Sequence, residues 1–190
     1  MIKAVIFDCF GVLIGKGFDN TYRMAGGDPV RDRTFIASTL GQINLGTMTE
    51  AEFRATMAHR LGIGLEDWNQ ATKNAHILNT DLLAYIVQLH STHKTAILSN
   101  ANKGILDREV GKDWLQKAFD EIVVSAEVGI VKPDENIYQL VVDRLGVTPK
   151  DCLYIDDREN FLIPARQLGM SAILYENFDQ IKRDIGEQLG

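Results

Sequence analysis

What most restricts the fold is a set of five short apolar runs, at about residues 2–7, 94–99, 121–125, 151–156 and 171–175, each bounded by turn-forming or charged residues. Helical patterns lie between the later runs. From Asp81 to His90, the residues Leu82, Leu83, Ile86 and Leu89 share a face, with Asn79 or Thr80 as cap. From Asn136 to Leu145, Ile137, Leu140 and Val141 do the same, and Gly146 stops the helix. Strand and helix in alternation predict an α/β fold with a parallel sheet. Pro164 fits a further helix if that helix begins near Asn160, which puts the proline close to the first turn, where its missing N–H matters least.

The stretch from Gly15 to Asn79 breaks the alternation, with helical segments and no convincing strand. Thr49-Glu50-Ala51-Glu52 is a capping-box pattern leading into Phe53, Met57 and Leu61, and Leu65 to Leu78 has the look of another helix. Gly26-Gly27-Asp28-Pro29 marks a turn, and Gly15 to Gly17 suits a hinge. Sixty-odd helical residues between the first strand and its next sheet partner are expected to cover the strand ends as a cap that excludes water from a substrate.

At 190 residues and 45% hydrophobic content, the chain can bury a full core. Its net charge of -6 and the absence of a basic run argue against nucleic acid as a partner. Cys9 and Cys152 sit in apolar runs without metal spacing, which fits two reduced core thiols and a cytoplasmic chain rather than a disulfide. No run approaches a membrane span, so no membrane partner is expected. His59, His76, His90 and His93 lack ligand spacing with a carboxylate; His90 and His93, at a helix end, suit the C-terminal dipole. Trp68 and Trp114 are expected in packing roles.

Chemistry gathers at the strand ends, where open α/β sheets bind ligands. Asp8 ends the first run, Ser99-Asn100 the second, Lys132-Pro133 follows the third, and Asp156-Asp157 ends the fourth. Taken in order, Phe7-Asp8-Cys9-Phe10-Gly11-Val12-Leu13, Ile97-Leu98-Ser99-Asn100, Val131-Lys132-Pro133 and Tyr154-Ile155-Asp156-Asp157 resemble the haloacid dehalogenase superfamily over nearly the whole chain. Gly46-Thr47-Met48-Thr49-Glu50 and Pro164-Ala165-Arg166-Gln167-Leu168-Gly169-Met170 are similar to its helical-cap subgroup, which includes bacterial sugar-phosphate phosphatases and the phosphatase domain of some epoxide hydrolases. The resemblance implies a Rossmann-like three-layer core over residues 1–14 and 80–190, with sheet order 5-4-1-2-3, and a cap domain over residues 15–79.

It also implies a magnesium-dependent hydrolase of small phosphate monoesters. A phosphoryl group repels an anionic nucleophile, so Asp8 can attack phosphorus only if a cation screens that repulsion. By resemblance, magnesium would be held by Asp8, the Phe10 backbone carbonyl and Asp157, with Asp156 acting mainly through water. Lys132 would neutralise the phosphate and Asp8, while the Ser99 hydroxyl and the Asn100 and Gly11 N–H groups would donate to phosphate oxygens. An aspartyl-phosphate would form and then be hydrolysed.

Phe10 departs from the phosphatase pattern, which has there an aspartate that protonates the leaving alcohol and later activates water. Proton transfer must then come from elsewhere, with Asp19, Tyr22 or a histidine as candidates, or be forgone. Tyrosine occupies the same position in the metal-free dehalogenases, so a dehalogenase-like hydrolase stays open as an alternative. Against it stand the Asp156-Asp157 pair and the lack of a well-placed arginine, Arg23 being the nearest. A non-catalytic metal- or phosphate-binding module is the third alternative.

Overall fold

The structure is a computed structural model that describes residues 1–15 and 17–190; Lys16, the centre of the expected hinge, lies outside the described residues. The strands β1 (Ala4–Phe7), β2 (Lys94–Ser99), β3 (Glu121–Val124), β4 (Cys152–Asp156) and β5 (Ser171–Leu174) each fall within a run marked from the sequence. All pair in parallel, in the expected order β3-β2-β1-β4-β5. The helices are α1 (Gly17–Met24), α2 (Arg33–Asn44), α3 (Glu50–Leu61), α4 (Leu65–Ala75), α5 (Thr80–His90), α6 (Lys112–Ala118), α7 (Ser125–Val128), α8 (Glu135–Leu145), α9 (Glu159–Leu168) and α10 (Phe178–Leu189). A π-helical segment, Asp107–Gly111, precedes α6.

The twofold period of the strands sorts the core into two layers. Ala4, Ile6, Ala96, Leu98, Cys152 and Tyr154 face α8 and α9, against Ile137, Tyr138, Val141 and Leu162. Val5, Phe7, Ile97, Leu153 and Ile155 face the other way, against Leu83 and Ile86 of α5, Leu115 of α6, and Ile181 and Ile185 of α10. Burial on both faces is what makes these strands apolar throughout rather than alternating. It also leaves Asp8, Ser99-Asn100 and Asp156, at the ends of β1, β2 and β4, as the outlets to chemistry.

One helix boundary and the depth of one proline differ from the sequence pattern. α9 begins at Glu159, so Pro164 is its sixth residue and lies in the interior, where it removes the N–H that would bond the Asn160 carbonyl. The buried side chains Phe161, Leu162 and Ala165 on either side keep the helix seated despite that loss. α4 stops at Ala75 rather than Leu78, because Leu78 leaves to pair with Ile14 and Gly15 N–H donates to the Ile77 carbonyl at 2.8 Å. A β-carbon on Gly15 would lie 2.6 Å from the Ala75 carbonyl oxygen, so only glycine allows the two connecting segments to run this close.

The helices α1–α4 pack around their own cluster of Tyr22, Ile36, Met57, Ala58 and Trp68. At its edge Asp32 accepts from Arg31 at 3.1 Å, Arg60 at 2.5 Å and the Tyr22 hydroxyl at 2.9 Å. The Arg31 and Arg60 bonds hold its carboxyl well below the usual carboxylate range. A group depressed on folding stabilises fully above its unfolded value of 3.8 and loses that contribution as pH falls towards the folded one. In a Trp114→Phe background, Trp68 fluorescence should therefore report loosening of this cluster below about pH 4. Asp32→Asn should show the loosened signal already at neutral pH, and an unchanged signal there would refute the assignment.

Candidate active site

Asp8 continues the Ala4–Ile6 face beyond β1, and its N–H donates to the Ile155 carbonyl at 2.8 Å, carrying the pairing with β4 one residue further. On β4, Tyr154 and Asp156 leave the sheet on that same side. Lys132, from the segment between α7 and α8, reaches into the gap. Its ammonium donates to Asp8 Oδ1 at 2.8 Å, Asp156 Oδ2 at 2.7 Å and the Tyr154 hydroxyl at 2.9 Å. The Asn100 side chain fixes the Lys132 backbone from both sides: Nδ2–H donates to its carbonyl at 2.9 Å, and Oδ1 accepts from its N–H at 2.8 Å. The polar residues that end β1, β2 and β4 thus meet around one buried lysine.

Asp157 completes the cluster. One carboxylate oxygen each from Asp8, Asp156 and Asp157 lie within 4.8 Å of one another. The Asp157 carboxylate rests on the Gly11 backbone, where a β-carbon would come within 2.2 Å of Oδ2, and Gly11 has φ +104°. Three carboxylates face one ammonium, which leaves the site short of positive charge. Burial raises Asp8 to about 7 in spite of Lys132, with Asp156 and Asp157 adding to the rise. Burial and the Asp156 charge likewise push Asp157 up to about 6. Burial works against the Lys132 charge, but Asp8 and Asp156 outweigh it and leave the ammonium raised above its ordinary value.

Two polar atoms here have no protein partner among the described residues: Asp157 Oδ1 and Ser99 Oγ, both buried. Buried polar groups are nearly always paired. An unpartnered carboxylate oxygen beside two further carboxylates fits a hard cation, and an unpartnered hydroxyl at the neighbouring strand end fits an anionic oxygen. Asp156, by contrast, has both oxygens engaged: Oδ2 accepts from Lys132 and Tyr154, and Oδ1 accepts from Arg158 N–H at 2.9 Å.

Residues 80–169 match the family model of haloacid dehalogenase-like hydrolases. Over that stretch the chain is similar to the haloacid dehalogenase superfamily. It is 37% identical over 76 residues to bifunctional epoxide hydrolase 2 of Sus scrofa, a match covering 40% of this chain and 14% of that protein's length. It is 23% identical over 193 residues to D-ribitol-5-phosphate phosphatase of Bacteroides thetaiotaomicron, covering 93% of each. A haloacid dehalogenase family enzyme from the same organism, solved in complex with magnesium and inorganic phosphate, superposes with a TM-score of 0.71 at 21% identity, over 95% of this chain and 99% of that one.

The departure from this superfamily's phosphatase pattern has a defined setting. The Phe10 ring is half-buried and meets the His76 ring at 5.4 Å between centroids. His76 Nδ1 lies 3.1 Å from Glu109 Oε2. Of the other proton-donor candidates, Tyr22 is committed to Asp32 inside the α1–α4 cluster, and Asp19 is exposed on α1. Arg23 is exposed in the last turn of α1. Near the end of β2, Glu50 of α3 accepts from Asn102 at 3.2 Å and from Arg108 at 3.0 Å, so the Gly46–Glu50 segment abuts the strand-end loop.

Cys9 is buried on the opposite face from Asp8, its thiol held well above the ordinary value by burial, and Cys152 is pushed up to about 12 by the same cause. Both are free thiols. No helix among the described residues is long and apolar enough to cross a membrane. Three contacts were missed by the sequence: Tyr154 on Lys132, the Asn100 side chain on the Lys132 backbone, and His76 on Phe10. The Tyr154 contact had a legible half, since a residue two before Asp156 in a strand shares its face.

Proposed function

We propose that the chain is a magnesium-dependent phosphatase of small phosphate monoesters, with Asp8 as nucleophile. The observation that carries this is the Lys132 ammonium shared by Asp8 and Asp156 beside an unpartnered Asp157 carboxylate. The similar ribitol-phosphate phosphatase, and the neighbour solved with magnesium and phosphate, support the same chemistry. In this reading Asp8, the Phe10 carbonyl and Asp157 hold the cation. Asp156, whose oxygens are already engaged, acts at one remove through water. Bound magnesium would screen the phosphoryl charge from the attacking carboxylate.

The chain's own groups do the rest. A bond forms from the Asp8 carboxylate to phosphorus as the ester oxygen departs, and water later cleaves the aspartyl-phosphate. Lys132 balances the charge of Asp8 and of the phosphoryl oxygens. Ser99 Oγ, with the Asn100 and Gly11 N–H groups, donates to those oxygens. Residues 15–79 act as a cap domain over the core of residues 1–14 and 80–190, excluding water and selecting the substrate. Phe10 supplies no proton, so good leaving groups are favoured.

An activated aryl phosphate tests this, because its leaving group needs little protonation. Turnover should require magnesium, vanish with a chelator and vanish in Asp8→Asn. Magnesium binding without turnover would point instead to a binding module. Halide release from a short haloacid without metal would point to a dehalogenase.

A further inference from the structure

We propose that Tyr154 is a positioning residue for this hydrolysis, its hydroxyl locking Lys132 and Asp156 into a fixed pair; the inference rests on the phosphatase reading above. Tyr154 is fully buried in the middle of the sheet, where a phenylalanine would pack equally well. A buried hydroxyl is tolerated only when it is bonded. This one accepts from Lys132 Nζ at 2.9 Å and donates to Asp156 Oδ2.

The arithmetic of donors explains why that matters. An ammonium has three N–H groups, and Lys132 spends them on Asp8, Asp156 and Tyr154. With every proton directed, the charge cannot swing between the two carboxylates. Asp156 accepts three bonds in turn, so it serves as a fixed counter-charge, while Asp157 keeps an unpartnered oxygen for the cation. Two further rings, Tyr138 and Phe161, border this network. Tyr138 meets Tyr154 edge-on at 5.4 Å between centroids, and its hydroxyl donates to the Phe161 carbonyl at 2.8 Å. The Phe161 ring in turn lies 5.0 Å from Lys132 Nζ.

Tyr154→Phe keeps every ring contact and removes one anchor from Lys132 and one from Asp156. Misplacement of a charge by a fraction of an ångström is enough to slow such a reaction. The expected result is a fall of about tenfold in kcat/KM on para-nitrophenyl phosphate. Affinity for inorganic phosphate, titrated calorimetrically with magnesium present, should weaken about threefold or more. Tyr138→Phe is the control: it deletes a buried hydroxyl in the same cluster that does not touch Lys132. It should lower the melting temperature while leaving both catalytic efficiency and phosphate affinity unchanged.

Unchanged kinetics and phosphate affinity in Tyr154→Phe would overturn the proposal, as would equal losses in Tyr154→Phe and Tyr138→Phe, which would mark a packing effect. If Tyr154→Phe fails to fold, Tyr154→His, which keeps a ring and a polar edge, should fold and retain more phosphate affinity than Tyr154→Leu; equal affinities would count against the proposal. A parent protein with neither turnover nor phosphate binding would refute the phosphatase reading itself. Failure of the positioning role alone leaves parent activity intact.

Discussion

Lys132→Met should abolish measurable phosphatase activity and lower stability by about 3–5 kcal/mol, the range for removing one partner of a buried ion pair. Lys132 is the cation in hydrogen-bond contact with both Asp8 and Asp156, and its side chain is only 1% exposed. Methionine fills a similar volume but leaves two carboxylates facing each other without a counter-charge. The phosphoryl oxygens lose a neighbouring counter-charge as well, and deletion of one such electrostatic contribution alone slows reactions by about 10²–10³. Urea unfolding measures the first effect and aryl phosphate turnover the second.

Two companions make the Lys132 argument specific. Adding Asp156→Asn to Lys132→Met should return part of the lost stability, because one of the two unpaired carboxylates becomes neutral while Asp8 still lacks a counter-charge, but none of the activity. Lys3 also pairs with an aspartate, Asp151 at 2.9 Å, yet the Lys3 side chain is 64% exposed. Lys3→Met should therefore change stability by less than about 1 kcal/mol. A loss that small for Lys132→Met would mean that water or a neutral carboxyl already relieves the charge, and the picture of a dry cradle would fail.

How much of this was legible beforehand follows from the range of each interaction. The inner strands β1, β2 and β4 were legible because burial on both faces makes each a dense apolar run, the edge strands β3 and β5 because turn-forming or charged residues bound a short apolar run, and α5 because Asn79 sits where its side chain can cap Leu82 N–H. The end of α4 was not, because what stops it is Ile14, far off in sequence, claiming Leu78. Pro164 was misplaced for a related reason: local rules send proline to a first turn, while the buried flank of α9 overrides them. In the site, the polar strand ends could be marked one by one, but their mutual distances belong to the sheet order. The Asn100 clamp on Lys132 joins residues 32 apart, and Tyr154 reaches Lys132 across 22. His76 meets Phe10 only because the two segments connecting α1–α4 to the sheet run side by side.

Phe10→Asp should raise turnover of an alkyl phosphate by about 10²–10⁴, the usual worth of general acid–base help, and leave the aryl phosphate rate nearly unchanged. The asymmetry follows from leaving groups. An alkoxide is a poor one and must be protonated as it departs, which about 3–5 kcal/mol of barrier now reflects. A nitrophenolate departs unaided. The cation site should survive the change, because the donor expected from residue 10 is its backbone carbonyl. Loss of the phenyl ring removes its tilted contact with His76, so some stability goes with it, and the new carboxylate, adding negative charge beside the cation, should lower the magnesium needed for half-maximal rate. Paired rates on the two substrates, at saturating magnesium, separate these effects. No gain on the alkyl substrate would mean that a proton is already supplied. His76, lying on the Phe10 ring with Glu109 behind it, is then the donor to remove, and His76→Asn would have to depress alkyl turnover while sparing the aryl phosphate.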